Sequence, residues 1–302
     1  MVRETLVQEA KRLFGKDIAE NEPLAKHCSF RIGGPAELFL QARKVGTLKE
    51  GLAFCRQKWL PFTVLGRGTN VLVPDSGVRG MVISVRVGAM VCGDPTITAE
   101  AGASLQKVAR VTAEAGLSGL EFTAGIPGSI GGAAFMNAGA HGSSLGKLVE
   151  LIVGIDDSAR EVLFGRKDLR FGYRESSLQD FPGIVCDVVL ALRKDDPRAI
   201  RDRMDQFMVV RRATQPVRAR CAGSIFKNPK GQSAGRLIEL AGCKGMRRGG
   251  AIVSRKHANF IVNRSGASYA DVKGLIEDVR ERVWKAHGIE LELEIIDLGD
   301  SA

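Results

Sequence analysis

An α+β fold in two successive units is what this sequence predicts, and three observations carry the prediction. Strand-like and helix-like segments alternate through the first half of the chain. That alternation stops at Arg193-Lys-Asp-Asp-Pro197, where a charged helical stretch begins. Ahead of the break, Gly125-Ile-Pro-Gly-Ser-Ile-Gly-Gly-Ala-Ala-Phe-Met-Asn-Ala-Gly139 sets its glycines among small and apolar residues, unlike a polar linker. The chain, at 302 residues, is too long for one small core. The break divides it into units 1–195 and 196–302.

Taken in order, Leu6, Ala10, Leu13 and Phe14 recur at helical spacing and predict a short amphipathic helix. Leu48, Leu52, Phe54, Cys55 and Trp59 fall near helical spacing and predict a second over 47–59. Phe62-Thr-Val-Leu65 then reads as a short buried strand closing on glycine. Val71–Val73 and Met81–Val85 are further strands, separated by the turn residues Pro74-Asp-Ser-Gly77. Ser104 opens a helix running to Ala115, with its hydroxyl as the cap and Leu105, Val108, Ala109 and Thr112 on one face. Beyond the break, helices are expected over 198–212, 233–241 and 269–287, with strands over 258–262 and 289–296.

Composition narrows the class. Hydrophobic residues at 44% and charged residues at 26% are ordinary for a soluble protein. There is neither an apolar run of transmembrane length nor the pattern of a signal peptide, which predicts a cytoplasmic protein. The six cysteines lack paired spacing and the four histidines are scattered, so neither a metal site nor a disulfide framework is expected. A net charge of +10 raises the question of nucleic acid, but the basic residues are not interleaved with aromatics. They gather at Arg211-Arg212, Arg218, Arg220 and Lys244–Arg248, as suits a compact anionic substrate or a solvated face.

Five segments are rich in chemistry. Gly66-Arg-Gly-Thr-Asn70 lies between apolar runs, where turn amides can cradle a pyrophosphate. It lacks the third glycine and following helix of a nicotinamide fingerprint. With the 125–139 segment, it makes two glycine turns able to clamp one dinucleotide. Phe171-Gly-Tyr-Arg-Glu-Ser-Ser177 offers Arg174 as a surface charge or as a cationic fork for a carboxylate. In Gly223-Ser-Ile-Phe-Lys-Asn-Pro229, Ser224 is either a turn residue or a catalytic hydroxyl. Lys256-His-Ala-Asn-Phe260 leads a polar loop into a strand, where His257 alone reads as structural. Glu290, Glu292 and Glu294 alternate with apolar residues and share one strand face.

In this order, and together with Gly119-Leu-Glu-Phe-Thr-Ala124, these segments closely resemble the UDP-N-acetylenolpyruvoylglucosamine reductase (UDP-N-acetylmuramate dehydrogenase) family, in its compact subtype. The resemblance runs from about Phe30 to Gly299. It implies a vanillyl-alcohol oxidase-type (PCMH-like) FAD-binding region of two α/β subdomains, followed by a smaller α+β substrate domain. The implied reaction is peptidoglycan precursor synthesis: NADPH reduces a non-covalently held FAD, and the enolpyruvyl nucleotide sugar is then reduced to UDP-N-acetylmuramate. Hydride arrives at C3 of the enolpyruvyl group and a proton at C2. No nucleic acid, membrane insertion or obligate protein partner is implied.

Carried over residue by residue, the resemblance makes Arg174 the holder of the substrate carboxylate and Ser224 the proton donor to C2. Glu294, if protonated, polarises the same carboxyl. FAD contacts fall on Gly66, Arg67, Gly68, Thr69 and Asn70, then on Gly125, Pro127, Gly128, Ser129, Gly131, Gly132 and Asn137. Substrate contacts fall on Tyr173, Arg212, Lys227, Asn228, His257 and Asn259. Leu293 stands where a proline is common and His141 where a tyrosine is common; neither change removes a charge or hydroxyl the reaction needs. Another flavoenzyme of the same fold would be marked by a covalent flavin, for which His27, His141 and Cys28 are the available side chains.

Overall fold

A computed structural model describes residues 2–299. Their Cα packing forms two units, but not the expected 1–195 and 196–302. One unit gathers the chain up to Glu20, then Leu38–Arg67 and Gly80–Arg211; the other gathers Asn21–Glu37, Gly68–Arg79 and the chain from Arg212. The reason is apolar. Cys28, Phe30, Ile32 and Leu72 are buried in one core with residues from Ala222 to Ile295, so two early segments fold with the C-terminal third.

In the first unit, α1 (Val2–Phe14) and α2 (Val45–Gln57) share a core with a four-stranded sheet. Its strands β1 (Ile18–Pro23), β2 (Pro35–Ala42), β3 (Phe62–Leu65) and β4 (Val78–Val85) are ordered β1-β2-β4-β3. Alternation sends Met81, Ile83 and Val85 of β4 into this core, against Phe14, Leu48, Leu52 and Phe54. Phe14 meets Phe54 edge to face at 5.7 Å. The expected buried strand at 62–65 is instead an edge strand: of its four residues only Leu65 is buried. It runs parallel to β4, with Leu65 opposite Ser84.

A second sheet of β5 (Met90–Cys92), β6 (Thr96–Glu100), β7 (Val149–Asp156), β8 (Glu161–Gly165) and β9 (Gly183–Ala191) is antiparallel throughout, ordered β8-β7-β9-β6-β5. It buries Ile97, Ile152, Val188 and Leu190 against α3 (Leu105–Glu114) and the short α4 (Ile130–Phe135). Ser104 does precede α3, yet its hydroxyl makes no capping bond; the Leu105 amide donates to the Gly128 carbonyl instead. The glycine segment thereby caps the start of the helix that precedes it in the chain. Helix α5 (Pro197–Thr214) buries only Ile200 fully, and Arg203 ties it to Glu121 at 2.8 Å and Asp195 at 2.5 Å.

The second unit holds α6 (Ala234–Leu240), α7 (Tyr269–His287) and an antiparallel sheet of β10 (Arg247–Arg248), β11 (Ala251–Val253) and β12 (Ile261–Asn263). A reciprocal Ser268–Asp271 capping box starts α7, and Gly288 at φ 65° ends it. Val272, Leu275, Ile276, Val279 and Val283 form its buried stripe. The strand expected over 289–296 is absent as a continuous element. Its backbone changes partners along its length: Glu292 O and Glu294 N bond Lys227 N and Ile225 O, whereas Ile296 N and Leu298 N bond Asn70 O and Leu72 O. Only Ile296–Asp297 forms a strand, parallel to Val71–Leu72.

Candidate active site

The two glycine segments meet inside the first unit. A Cβ on Gly66 would lie 2.8 Å from Ser129 Oγ, so the close approach requires a bare backbone. Gly125 and Gly128 take φ of 76° and 141°, the region that favours glycine. The segment's amides divide into two sets. Ile130 N and Gly131 N donate to Ala103 O and Ala101 O, and Gly132 N to Ser129 Oγ, so these three serve the fold. A Cβ on Gly131 would sit 2.6 Å from that of Ala101, which makes its glycine a packing requirement. The amides of Arg67 and Gly68 meet no acceptor among the described residues. Nearby on β4, the fully buried Ser84 hydroxyl has no hydrogen-bond partner. Bare turns, unused amides and a buried hydroxyl suit a phosphorylated, flat cofactor of the FAD type.

Arg174 occupies the tip of a two-residue hairpin between Phe171–Gly172 and Glu175–Ser176, at φ 61°. Its guanidinium donates to Gly139 O at 3.1 Å and lies 5.2 Å from the centre of the half-exposed Tyr173 ring. The hairpin is fastened to the end of the glycine segment. Asn137, buried and at φ 42°, donates to Gly172 O at 2.6 Å and accepts from Gly146 N at 2.8 Å. Ser176 Oγ donates to Phe135 O at 2.6 Å, and Gln179 Nε2 bridges Phe135 O and Arg174 O at 3.2 Å each. Both polar atoms of the Asn137 amide therefore hold backbone, and its place is between the glycine segment and Arg174.

In the second unit, Ser224 follows Gly223 at φ 80°. The Ile225 amide donates to Asn259 O at 2.9 Å, and the Asn259 amide brackets Phe226 through N–H at 2.9 Å and C=O at 2.8 Å. Asn259 is 3% exposed, so its contribution is to fix this strand-like stretch. Ser29 Oγ holds Cys221 O at 2.6 Å on the near side. The Ser224 hydroxyl itself has no hydrogen-bond partner among the described residues. Glu294 is brought alongside because its amide donates to Ile225 O at 2.8 Å, while Asn70 Nδ2 donates to its carbonyl at 3.1 Å.

The remaining expected substrate contacts scatter over this unit. Lys227 Nζ is 3.5 Å from Glu292, and Asn228 Oδ1 accepts from Ala234 N at 3.0 Å where α6 begins. His257 packs edge-on to Phe260 at 4.9 Å and accepts from Asn259 N through Nδ1. Burial, then the Lys244 charge, hold its pKa below the usual histidine value, so it is neutral near pH 7. Arg212 is exposed and its carbonyl accepts from Lys256 Nζ. The side chains open to a covalent flavin are engaged otherwise: His27 with Glu22 at 2.9 Å, Cys28 with Ile32 O at 3.1 Å, and His141 stacked on Phe207 at 4.1 Å. Ser29, Asn70, Ser176 and Gln179 support the site, yet only Asn70 and Ser176 lay in segments that stood out in the sequence. The others are polar residues whose partners are distant in the chain.

Comparison with known proteins decides the family. Residues 215–297 match the description "UDP-N-acetylenolpyruvoylglucosamine reductase, C-terminal domain", and residues 36–156 match "FAD binding domain". UDP-N-acetylenolpyruvoylglucosamine reductase of Heliobacterium modesticaldum is 45% identical over 93% of this chain and 91% of its own. That of Bacillus subtilis is 41% identical over 98% and 99%. The chain belongs to the UDP-N-acetylenolpyruvoylglucosamine reductase family. It is a flavin-dependent oxidoreductase with a PCMH-like FAD-binding region. The crystal structure of the Thermus caldophilus enzyme is similar at a TM-score of 0.78, with 35% identity over 93% of this chain and 97% of its own. Physcomitrella patens BBE-like 1, at 16% identity and a TM-score of 0.50 over 62% of this chain and 44% of its own, shares the fold alone.

Proposed function

We propose that Arg174, Ser224 and Glu294 carry the reaction of this family member, the NADPH-dependent reduction of UDP-N-acetylglucosamine enolpyruvate to UDP-N-acetylmuramate. When bound, FAD would supply the hydride-transfer chemistry that links NADPH to C3 of the enolpyruvyl group. The residues that would hold it are Gly66 to Asn70 and the Gly125–Ser129 turn. Arg174 holds the substrate carboxylate with a planar fork, which strengthens as negative charge builds beside it. Glu294, in its protonated form, donates a hydrogen bond that polarises the same carboxyl group. Ser224 donates the proton that C2 must receive, its O–H bond breaking as the new C–H bond forms. A soluble nucleotide sugar and NADPH are cytoplasmic compounds, and among the described residues no helix is long and apolar enough to cross a membrane.

The observation that supports this reading is the Ser224 hydroxyl. A serine kept for its turn bonds its own backbone locally, whereas this one meets no described acceptor or donor while its flanks are pinned by Asn259. The test separates the half-reactions by anaerobic flavin absorbance. Ser224→Ala should bleach normally with NADPH and recover with the enolpyruvyl sugar about a hundredfold to ten-thousandfold more slowly. Equal slowing of both halves would sink the proton-donor role.

A further inference from the structure

The first unit carries two uncompensated guanidinium groups at one edge of its first sheet. On β4, Met81, Ile83, Val85 and the following Val87 belong to the core with α1 and α2. Alternation therefore puts Val82, Ser84 and Arg86 on the opposite face. Arg86 continues the strand, since its amide donates to Ala42 O at 2.8 Å. The parallel register ends with Leu65 opposite Ser84. Two residues past the ends of this pairing stand Arg67, in the bend that follows Leu65, and Arg86, close enough for their charges to interact. Such ends of adjacent parallel strands are where open α/β sheets take ligands.

These two charges lack counter-ions. Arg43, beside Ala42, is paired with Asp17 at 2.7 Å, but no carboxylate or carbonyl among the described residues meets Arg67 or Arg86. Burial first, then the Arg67 and Arg43 charges, pull the Arg86 pKa below its ordinary value. An arginine stays protonated under such pressure, so the repulsion stands until an anion arrives. The buried, unpartnered Ser84 hydroxyl lies on the same face one step back. Gly66, between Leu65 and Arg67, touches Ser129 of the other glycine segment.

We infer that Arg86, with Arg67, is a binding site for a nucleotide diphosphate, and that the diphosphate is that of FAD. Arg67 belongs to one glycine segment and its neighbour Gly66 packs against Ser129 of the other, which favours FAD over NADPH or the nucleotide sugar. The inference rests on the flavin role of those segments, and the experiment tests the two separately. Full-length chain freed of flavin is titrated with FAD and with riboflavin, which lacks phosphate, by flavin fluorescence at several salt concentrations. Arg86→Gln should weaken FAD binding by about tenfold or more, flatten its salt dependence and leave riboflavin unaffected. Arg86→Lys should recover part of the loss. An FAD affinity within about twofold of wild type in a folded Arg86→Gln chain would overturn the inference. So would unchanged FAD affinity with a raised KM for NADPH or for the nucleotide sugar, which would move the anion to that ligand. Wild-type chain that takes up no FAD would overturn the flavin role itself.

Discussion

Arg174 holds a backbone angle that an L-residue adopts at a cost of about 1–2 kcal/mol. Glycine would hold it freely, so the side chain is kept against the local preference, as strained residues at functional sites are. Arg174→Gly should therefore fold at least as stably as wild type by thermal unfolding. Its flavin should still bleach with NADPH, while recovery with the enolpyruvyl sugar falls about a hundredfold to a thousandfold. Arg174→Lys keeps the strained backbone and loses only the planar fork. A glycine variant that unfolded readily would show that the side chain's bond to Gly139 O, rather than its chemistry, justifies the residue. Ser224 and Asn259 divide the labour differently: one presents an unbonded hydroxyl, and the other uses its whole amide to fix the stretch that presents it.

At the scale of elements, the Arg174 hairpin is only as rigid as its attachment to the glycine segment. Gln179 is exposed, so Gln179→Ala removes two backbone bonds with little effect on the core. It should slow the enolpyruvyl half-reaction by about threefold to thirtyfold, with NADPH bleaching and FAD affinity unchanged. An equal change in all three would mark a merely structural role. Helix α5 depends on a charged attachment. Burial opposes ionisation of Glu121, but the Arg203 bond and its other donors outweigh it, and Arg203 also lowers the Asp195 pKa. Lowered carboxyl pKa values mean that the folded state binds fewer protons than the unfolded one. The stabilisation is then complete above their ordinary values near ~4 and fades as pH falls through the lowered ones. Arg203→Met should lower the unfolding temperature by a few degrees at neutral pH, and the difference from wild type should shrink steadily toward ~pH 3. A constant difference at all pH values would exclude this attachment. Helices were legible because their burial repeats along the chain, as in α3 and α7. The extended run at 289–298 was not, because alternation records which face is buried and not which backbone is bonded. Likewise the motif residues were legible, while Gln179 and Arg86 owe their places to neighbours that only the fold brings near.

For the molecule as a whole, the second unit cannot be cut out of the chain at the charged break. Residues 196–302 lack Cys28, Phe30, Ile32 and Leu72 and the Asn70 and Leu72 carbonyls that bond Ile296 and Leu298. They also lack Phe30 O, to which the buried Asn263 amide donates at 2.9 Å. A 196–302 fragment should accordingly show no cooperative thermal transition by circular dichroism, whereas the full chain does. A sharp transition in the fragment would show that the early segments are dispensable. The charge of +10 belongs to this scale too, since it draws anionic nucleotides toward the surface in a salt-dependent way.

The interleaving of the two units also has a consequence during synthesis on the ribosome. Once Arg79 has been added, about 220 residues remain to be translated before the extended run at 289–298 is complete, which takes about ten to forty-five seconds at ordinary elongation rates. Throughout that interval Phe30, Ile32 and Leu72 have no native core to enter, because α7 and that extended run have not yet been made. The nascent chain must therefore carry these apolar segments unburied until α7 and that extended run have both been made.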